Sequence, residues 1–559
     1  MKVSISNYLL RRLNELDVHH LFGIPGDYML PFFNELLDGD HGVKQVNMPN
    51  ELTGGYAADG YAKINGFGAV AGTFGPGALN ATNAVAGAYA DDIPLILITG
   101  TPKTEVLTTP TEKMYHHAVQ THLDANLDVF RAITISAQRI MRVEDAATII
   151  DDILCAAIQN KKPCYLEIPF DLQTAEIDAP DSPLATLLGG SSPQLLQAAV
   201  EQAVKTIENA NSRAVVVGHL IEREKQTDVV CSLIEKIGAT VVTTFQNKNG
   251  AFESSPNAAG FYMGRLSLEN TRNVVERAEI VILVGKTDNE LDSGLFSSKP
   301  DEESQIAILL DHVIVNGHRF DHVYLKDFLP ALLNALEMIE PTSLTFPEGK
   351  KKFFYDRSEP FTPTNEKLTV DRTMLRLAHY FREGDIMFGE TGGYLSALQI
   401  GFPDKSLVFG NGNWLSLGSG FGNLVGATFT KESNRRIIGI LGDGGFHMTV
   451  QGLSTLFMYE KNVALFVLNN AGYTIERAIH PESERTYNNI FNWKYHLLPE
   501  AFGGVPAVTG NGYEVRTEKE LDEILSILQN PKGVNIVNIH LDPYDLGFTH
   551  SAIGEKFRH

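Results

Sequence analysis

Short apolar runs rich in β-branched residues recur along the chain, separated by longer stretches with helical periodicity. The first third holds "HHLFGIPGD", "PLILITGTP" and "PCYLEIP", and the middle holds "AVVVGHL", "EIVILVGKTD" and "QIAILLD". The last third holds "SLVFGNG", "RRIIGILGDG", "ALFVLNN" and "VNIVNIHLD". Runs without polar alternation predict strands covered on both faces, as in parallel sheets between helix layers. Two stretches interrupt the alternation: "DAPDSPLATLLGGSSP", Asp178 to Pro193, and "EPTSLTFPEGKKKFFYDRSEPFTPTNEK", Glu340 to Lys367. Rich in Pro, Ser, Gly or charge, they read as linkers. The predicted fold is α/β, with three consecutive doubly wound parallel-sheet domains at residues 1–180, 193–340 and 366–559. A chain of 559 residues agrees, since ~150 residues per domain gives roughly three or four.

Composition narrows the function. With 43% hydrophobic and 20% charged residues the chain is globular, and its formal charge of -22 sets it against nucleic acid and anionic membranes. An anionic small molecule is still admissible, because a buried site feels its local charges more than the net value. The cysteines, Cys155, Cys164 and Cys231, lack metal-ligand spacing and cannot make a disulfide framework, which fits a reducing cytoplasm. In "MKVSISNYLLRRLNEL" Arg11 and Arg12 interrupt the apolar pattern, predicting an amphipathic helix and not a signal peptide. The least polar run, "GAVAGTFGPGALNATNAVAGAYA", is broken by Pro76, Asn80 and Asn83 and suits no lipid-facing span.

Ligands of open parallel sheets bind beyond the carboxyl ends of strands. There stands "LGDGGFHMTVQGLSTLFMYEKNVALFVLNNAGYTIE". With "RRIIGIL" a strand and "TVQGLSTLFMYE" a helix, Gly442 to Gly445 forms the turn between them. Glycines let backbone amides approach a phosphate, yet Asp443 alone would repel one. A divalent cation removes the conflict. Asn470 follows Asp443 by 27 positions and ends the next strand, so a carboxylate and an amide oxygen are available to Mg²⁺ that also holds phosphate oxygens.

GDG followed at this spacing by NN resembles the thiamine diphosphate motif. The resemblance implies thiamine diphosphate and Mg²⁺ as cofactors, with the metal on Asp443, Asn470 and the backbone oxygen of Gly472. In "NMPNELTGGYAADGYAK" Glu51 opens a helix capped by Asn50; by itself this is a carboxylate complementing the helix dipole. Beside the diphosphate motif the segment resembles the one whose Glu activates the cofactor. Asp27 in "LFGIPGDYML", His116 and His117 in "EKMYHHAVQTH", and Glu476 in "NNAGYTIERAIH" each have a bland reading as turn, loop or exposed-helix residues. Together they match the proton-handling set of the thiamine diphosphate-dependent 2-oxo acid decarboxylases, the pyruvate, indolepyruvate and branched-chain group.

That family implies non-oxidative decarboxylation, through a cofactor ylid and an enamine, of pyruvate or a larger aliphatic or branched 2-oxo acid to aldehyde and CO₂. Glu51 would form the ylid; Asp27, His116, His117 and Glu476 would place substrate and move protons. By the same resemblance Thr391, Gly392 and Gly393 sit near the diphosphate, Leu417 bends the cofactor and the Leu415 carbonyl accepts from its amino group. Gly444, Gly445, Tyr473 and Ile475 complete the cofactor-binding set, and Leu395, Ile475 and Ile479 line the substrate cavity. The family also implies a homodimer or homotetramer with sites at the subunit interface.

Two departures stand out. Gly75-Pro76-Gly77 with "GAYADDIP" looks more like the acetohydroxyacid synthase branch, and His447 stands where decarboxylases of this group commonly carry Gln. A carboligase making a hydroxyketone is therefore the alternative, and a catalytically silent cofactor-binding protein a second. The middle block shows no G-x-G-x-x-G after its strands, hence no nucleotide fingerprint, and reads as structural or regulatory.

Overall fold

A computed structural model describes residues 2–109, 112–180, 182–298, 305–339, 346–481 and 484–557. The start of the expected second linker, 340–345, and one residue of the first, 181, lie outside the described residues. By packing, the chain divides into two compact units. The first comprises Met1–Gly189, Trp414–Asn434 and Thr449–Lys461; the second comprises Gly190–Asn413, Arg435–Met448 and Asn462–His559.

The first unit carries a six-stranded sheet, in the order Lys44–Asn47, His20–Gly23, Gly68–Gly72, Leu95–Thr101, Cys164–Pro169, Ser136–Arg139, every pairing parallel. Its central strands are buried along their whole length, as the absence of polar alternation required. The predicted first helix runs Ile5–Glu15, but Arg12 is buried, ion-paired through Nε to Asp151 Oδ1 at 2.8 Å. The Glu51–Asn65 helix starts where Asn50 Oδ1 accepts the Thr53 amide, at 2.8 Å, and ends at Gly66 with φ 102°. Its glycines and alanines serve packing. A methyl group on Gly60 would stand 2.0 Å from the Asn423 carbonyl oxygen, and one on Gly426 1.8 Å from that of Ala57. The Glu51–Asn65 and Ser419–Ala427 helices thus touch backbone to backbone.

The second unit holds two seven-stranded sheets. The central one runs Ala258–Phe261, Thr240–Thr243, Arg213–Val217, Ile280–Val284, Gln305–Ile308, His312–Val315, His318–Asp321. Its last two strands are antiparallel, a departure from the expected all-parallel sheet. They form a hairpin on Asn316-Gly317, both with positive φ, 49° and 76°; Asn-Gly favours such a turn because both residues tolerate the left-handed region.

The other sheet orders Lys248–Asn249, Leu407–Phe409, Ile386–Gly389, Ile437–Gly442, Val463–Asn469, Val534–His540, Gly510–Val515, parallel except for the first pair. Lys248 is buried in it, paired with Glu253 at 2.5 Å. The expected α/β class with three parallel-dominated sheets stands. No helix among the described residues is long and apolar enough to cross a membrane.

Candidate functional site

In the first unit, strand His20–Gly23 leads into a turn at Gly26, whose Cα lies so close to Thr73 that a Cβ would meet that side chain at 2.4 Å. Asp27 follows. Its Oδ2 lies 2.5 Å from His116 Nε2 and its Oδ1 3.9 Å from His117 Nδ1. Tyr28 stacks on the His116 ring, centroids 4.7 Å apart and planes 9° apart, and the two histidine rings meet edge to face at 4.9 Å. Partial burial alone would raise the Asp27 pKa; the hydrogen bonds from His116 and the Tyr28 amide override it and hold the carboxyl below its usual value. The sequence-predicted Asp27, His116 and His117 are thus brought together.

Glu51 lies at the start of its helix, Oε2 accepting from Asn80 Nδ2 at 2.8 Å. The Gly75-Pro76-Gly77 departure has a steric reason here. Gly75 has φ 69°, and a Cβ would stand 1.9 Å from the His117 carbonyl oxygen; one on Gly77 would press Glu51 Oε1 at 3.1 Å. Glycine makes room for both His117 and Glu51. Farther along, Ser416 Oγ is bound by Tyr56 Oη at 2.6 Å and Asn83 Nδ2 at 2.8 Å. Leu415 is held at φ 54°, and Leu417 is half-buried.

In the second unit the expected Gly442–Gly445 turn is shorter than predicted: strand Ile437–Gly442 passes directly into helix Asp443–Thr449. The predicted long helix is interrupted by a 3₁₀ turn at Val450–Gly452 before Leu453–Met458, residues that belong to the first unit. The neighbouring parallel strand, Val463–Asn469, delivers Asn470 and Gly472 beside Asp443. Asp443 is 1% exposed. Its Oδ1 accepts the Gly444 amide at 2.8 Å and its Oδ2 that of Gly472 at 3.3 Å. Burial nevertheless dominates and pushes its pKa up to about 6.

The Asn470 side-chain oxygen is buried with no hydrogen-bond partner. A buried carboxylate and an orphaned amide oxygen on adjacent strand ends form a hard-oxygen donor set that fits Mg²⁺. Methyl groups built on Gly392 or Gly442 would meet no protein atom within 4 Å, leaving open space beside these groups. Gly444 and Gly445 are instead filled against, by the Tyr473 ring at 2.6 Å and Glu390 Cγ at 2.2 Å. Thr391 Oγ1 accepts from Asn411 Nδ2 at 3.1 Å, and Gly393 abuts the Ile440 carbonyl. Leu395 is buried, Ile475 and Ile479 are half-buried, and Glu476 is exposed on the Thr474–Ile479 helix.

Sequence reading missed three features of this unit. Glu390 is buried and accepts from Asn411 Nδ2 at 2.6 Å. Arg477 is buried next to Glu476 and donates to Asn489 Oδ1 at 3.0 Å. His447 stacks on Trp493 with centroids 3.6 Å apart and shares a 2.8 Å hydrogen bond with Tyr495 Oη. Arg477 had a signal as the lone cation of its short helix, and His447 had one as a departure, without its stacking partners being legible.

The geometry brings a buried carboxylate and an unpartnered amide oxygen together on adjacent strand ends in the second unit, hard-oxygen donors of the kind that suit a cation, and an aspartate–histidine cluster together in the first. Comparison with known proteins agrees. Residues 3–127 match the family described as thiamine pyrophosphate enzyme, N-terminal TPP binding domain; residues 200–336 match its central domain; residues 389–539 match its C-terminal TPP binding domain. The chain is 31% identical over 533 residues to the alpha-keto-acid decarboxylase of Mycobacterium tuberculosis, covering 94% of this chain and 91% of that protein. It is 29% identical over 565 residues to the pyruvate decarboxylase of Candida albicans, covering 97% and 96%. The chain belongs to the thiamine pyrophosphate-dependent 2-oxo acid decarboxylase family. It is accordingly a carboxy-lyase that uses thiamine diphosphate.

Proposed function

We propose that the chain converts an aliphatic 2-oxo acid, pyruvate or a larger or branched one, to an aldehyde and CO₂, with thiamine diphosphate held through Mg²⁺ by Asp443, Asn470 and the Gly472 carbonyl. The observation that carries this reading is the pairing of a fully buried Asp443 with an unpartnered Asn470 oxygen. Both groups are costly to bury unless a cation satisfies them. When bound, thiamine diphosphate supplies the electron sink that the departing CO₂ requires.

The protein groups do the rest. Glu51, oriented by Asn80, exchanges a proton with the cofactor. Asp27 accepts from His116 Nε2, fixing the orientation of that imidazole, and the His116–His117 pair delivers a proton to the product. Glu476, exposed on its short helix, assists substrate placement. Thr391, Gly392 and Gly393 would border the diphosphate, the Leu415 carbonyl would be placed to accept from the cofactor's amino group, and Leu417 would pack against it. Leu395, Ile475 and Ile479, all aliphatic, favour an aliphatic substrate chain; apolar fit discriminates by about 1 to 3 kcal/mol per methylene. Gly75 and Gly77 are accounted for by the room that His117 and Glu51 need, so they lend no support to carboligation.

Domain limits at 1–180, 193–340 and 366–559, a cytoplasmic location and a homodimer or homotetramer complete the reading. Incubation with thiamine diphosphate, Mg²⁺ and 2-oxo acids from pyruvate to 2-oxooctanoate and phenylpyruvate tests it, with CO₂, aldehyde and hydroxyketone measured separately. Aldehyde equal to CO₂ is expected; hydroxyketone in its place would make the chain a carboligase, and no CO₂ from any acid would overturn the reading. Reassembly of Glu51→Gln with Glu476→Gln protein is expected to restore part of the activity if copies share sites.

A further inference from the structure

The second unit contains a device that the decarboxylation chemistry does not use. Five residues from Asn488 to Tyr495 (Asn488, Asn489, Asn492, Trp493 and Tyr495) tie this segment to the residues around Asp443 and Asn470. The Asn488 carbonyl accepts the Tyr473 amide at 2.9 Å, and Asn489 bridges to Gly472, whose Cα has no room for a Cβ against Asn488. Asn489 Oδ1 accepts from Arg477, whose Nη1 also reaches the Asn470 carbonyl at 3.5 Å. Asn492 Oδ1 accepts from Asn469 Nδ2 at 3.0 Å. At the far end Trp493 lies on His447 and Tyr495 bonds to it.

His447 is one helical turn beyond Asp443 on the same helix, so side chains four apart share a face. The segment therefore joins the Asp443 helix to the Asn470 turn, the two elements that would close on the cation. Tyr495 is fully buried while Trp493 keeps part of its surface, so the stack is anchored on one side and open on the other.

We propose that His447, Trp493 and Tyr495 form a clamp that holds the Asn488–Tyr495 segment across the metal-binding turn and sets how slowly the cofactor and its cation leave. The inference rests on the reading that Asp443, Asn470 and Gly472 hold Mg²⁺. His447 acts as a positioning residue: it touches neither substrate nor reacting atoms in this account, and its effect passes through the segment it pins. A flat imidazole both stacks and hydrogen-bonds, whereas an amide in its place keeps only the hydrogen bond.

The chain has two tryptophans, so a Trp414→Phe background leaves Trp493 as the sole indole reporter. In that background the full-length holoenzyme is diluted into excess chelator, and the release of thiamine diphosphate is timed alongside Trp493 emission. His447→Leu, which loses stack and hydrogen bond, is expected to speed release at least tenfold and to shift Trp493 emission to longer wavelength even before release. His447→Gln and Tyr495→Phe, each keeping one contact, are expected to fall between wild type and His447→Leu. At saturating cofactor all three should keep kcat within about threefold.

Unchanged release in His447→Gln and Tyr495→Phe protein that unfolds at the wild-type temperature would overturn the clamp while leaving the metal reading intact. Should His447→Leu fail to fold, those two variants still decide the matter. Failure of wild-type protein to bind thiamine diphosphate with Mg²⁺ would instead sink the metal reading, and the clamp with it.

Discussion

Asp27 and His116, in the first unit, keep 52% and 58% of their side-chain surface exposed while bonded to each other, whereas Asp443, in the second, is 1% exposed. The same residue type, aspartate, stands below its usual pKa in one setting and well above it in the other. The difference follows from hydrogen bonding in one case and burial in the other, and it suits the role proposed for each. A group that trades protons needs water or a partner at hand to reload it, and a hydrogen-bonded imidazole provides both orientation and a proton route. A metal ligand needs the reverse: a dry, fixed oxygen whose desolvation is unpaid until the cation arrives.

The sharpest way to break that comparison is Glu51→Gln. If Glu51 serves proton transfer while Asp443 and Asn470 anchor the cofactor, kcat should fall by about 10² to 10⁴ with little change in thiamine diphosphate affinity measured by calorimetry. An equal loss of cofactor affinity would erase the division of labour.

Asp443→Asn should give the complementary result. The folded protein holds the Asp443 proton more tightly than the unfolded chain between pH 3.8 and about 6. Stability from this group therefore declines as pH rises through that window, and at neutral pH the ionised carboxylate is a net cost. A shift of about two pKa units corresponds to about 3 kcal/mol. Without metal, the Asn protein should be the more stable at pH 8 and equal to wild type near pH 3; with Mg²⁺ and thiamine diphosphate the order at pH 8 should reverse. Thermal unfolding with and without Mg²⁺ measures both, and an Asn protein less stable in both states would contradict the assignment.

Gly75→Ala sharpens the comparison within the first unit. The added methyl would collide with the His117 carbonyl and strain a residue at φ 69°, a cost of about 1 to 3 kcal/mol. Moving His117 should lower kcat about tenfold and leave cofactor affinity unchanged. A carboligase outcome in this variant would reopen the reading of that glycine.

The parts of this molecule legible in the sequence were those fixed by local pattern. Continuous apolar runs such as "ALFVLNN" and "PLILITG" became buried parallel strands because both of their faces are covered. The strand Gly68–Gly72, "GAVAG", has a single β-branched residue, Val70, among glycines and alanines and gave no such signal; burial between neighbours keeps it extended. Ser136–Arg139 is a polar edge strand, equally silent. The Asp443–Asn470 pairing could be read from spacing, since one helix and one strand fill the interval. That His116 and His117 reach Asp27, 89 positions away in one case, came only from resemblance, because no local rule links a loop to a distant turn. His447 stood out only as a departure from the usual Gln, and its contacts with Trp493 and Tyr495 were invisible for the same reason: ring stacking between segments leaves no periodicity.

The smallest effect concerns groups outside both clusters, and it tests whether the contrast between the units is confined to them. His20 of the first unit is packed against Phe429 and Tyr61, and its Nδ1 is buried without a hydrogen-bond partner. Burial first, then the nearby Lys461 and Lys44, lower its pKa to about 4; burial does the same to His550 of the second unit. Each folded-state value lies below the ordinary ~6.5, so the unfolded chain binds more protons between those limits. Stability is complete above pH 6.5 and drains as pH falls toward 4, by up to about 1.4 kcal/mol per pH unit for each histidine. The dependence should appear alike in both units, unlike that of Asp443, which runs in the opposite direction. His20→Phe, which fills the same aromatic contact without a titrating nitrogen, should flatten the urea-midpoint slope between pH 6.5 and 4.5 for the first unit while sparing kcat; an unchanged slope would show that His20 is already neutralised in the unfolded chain or solvated in the folded one.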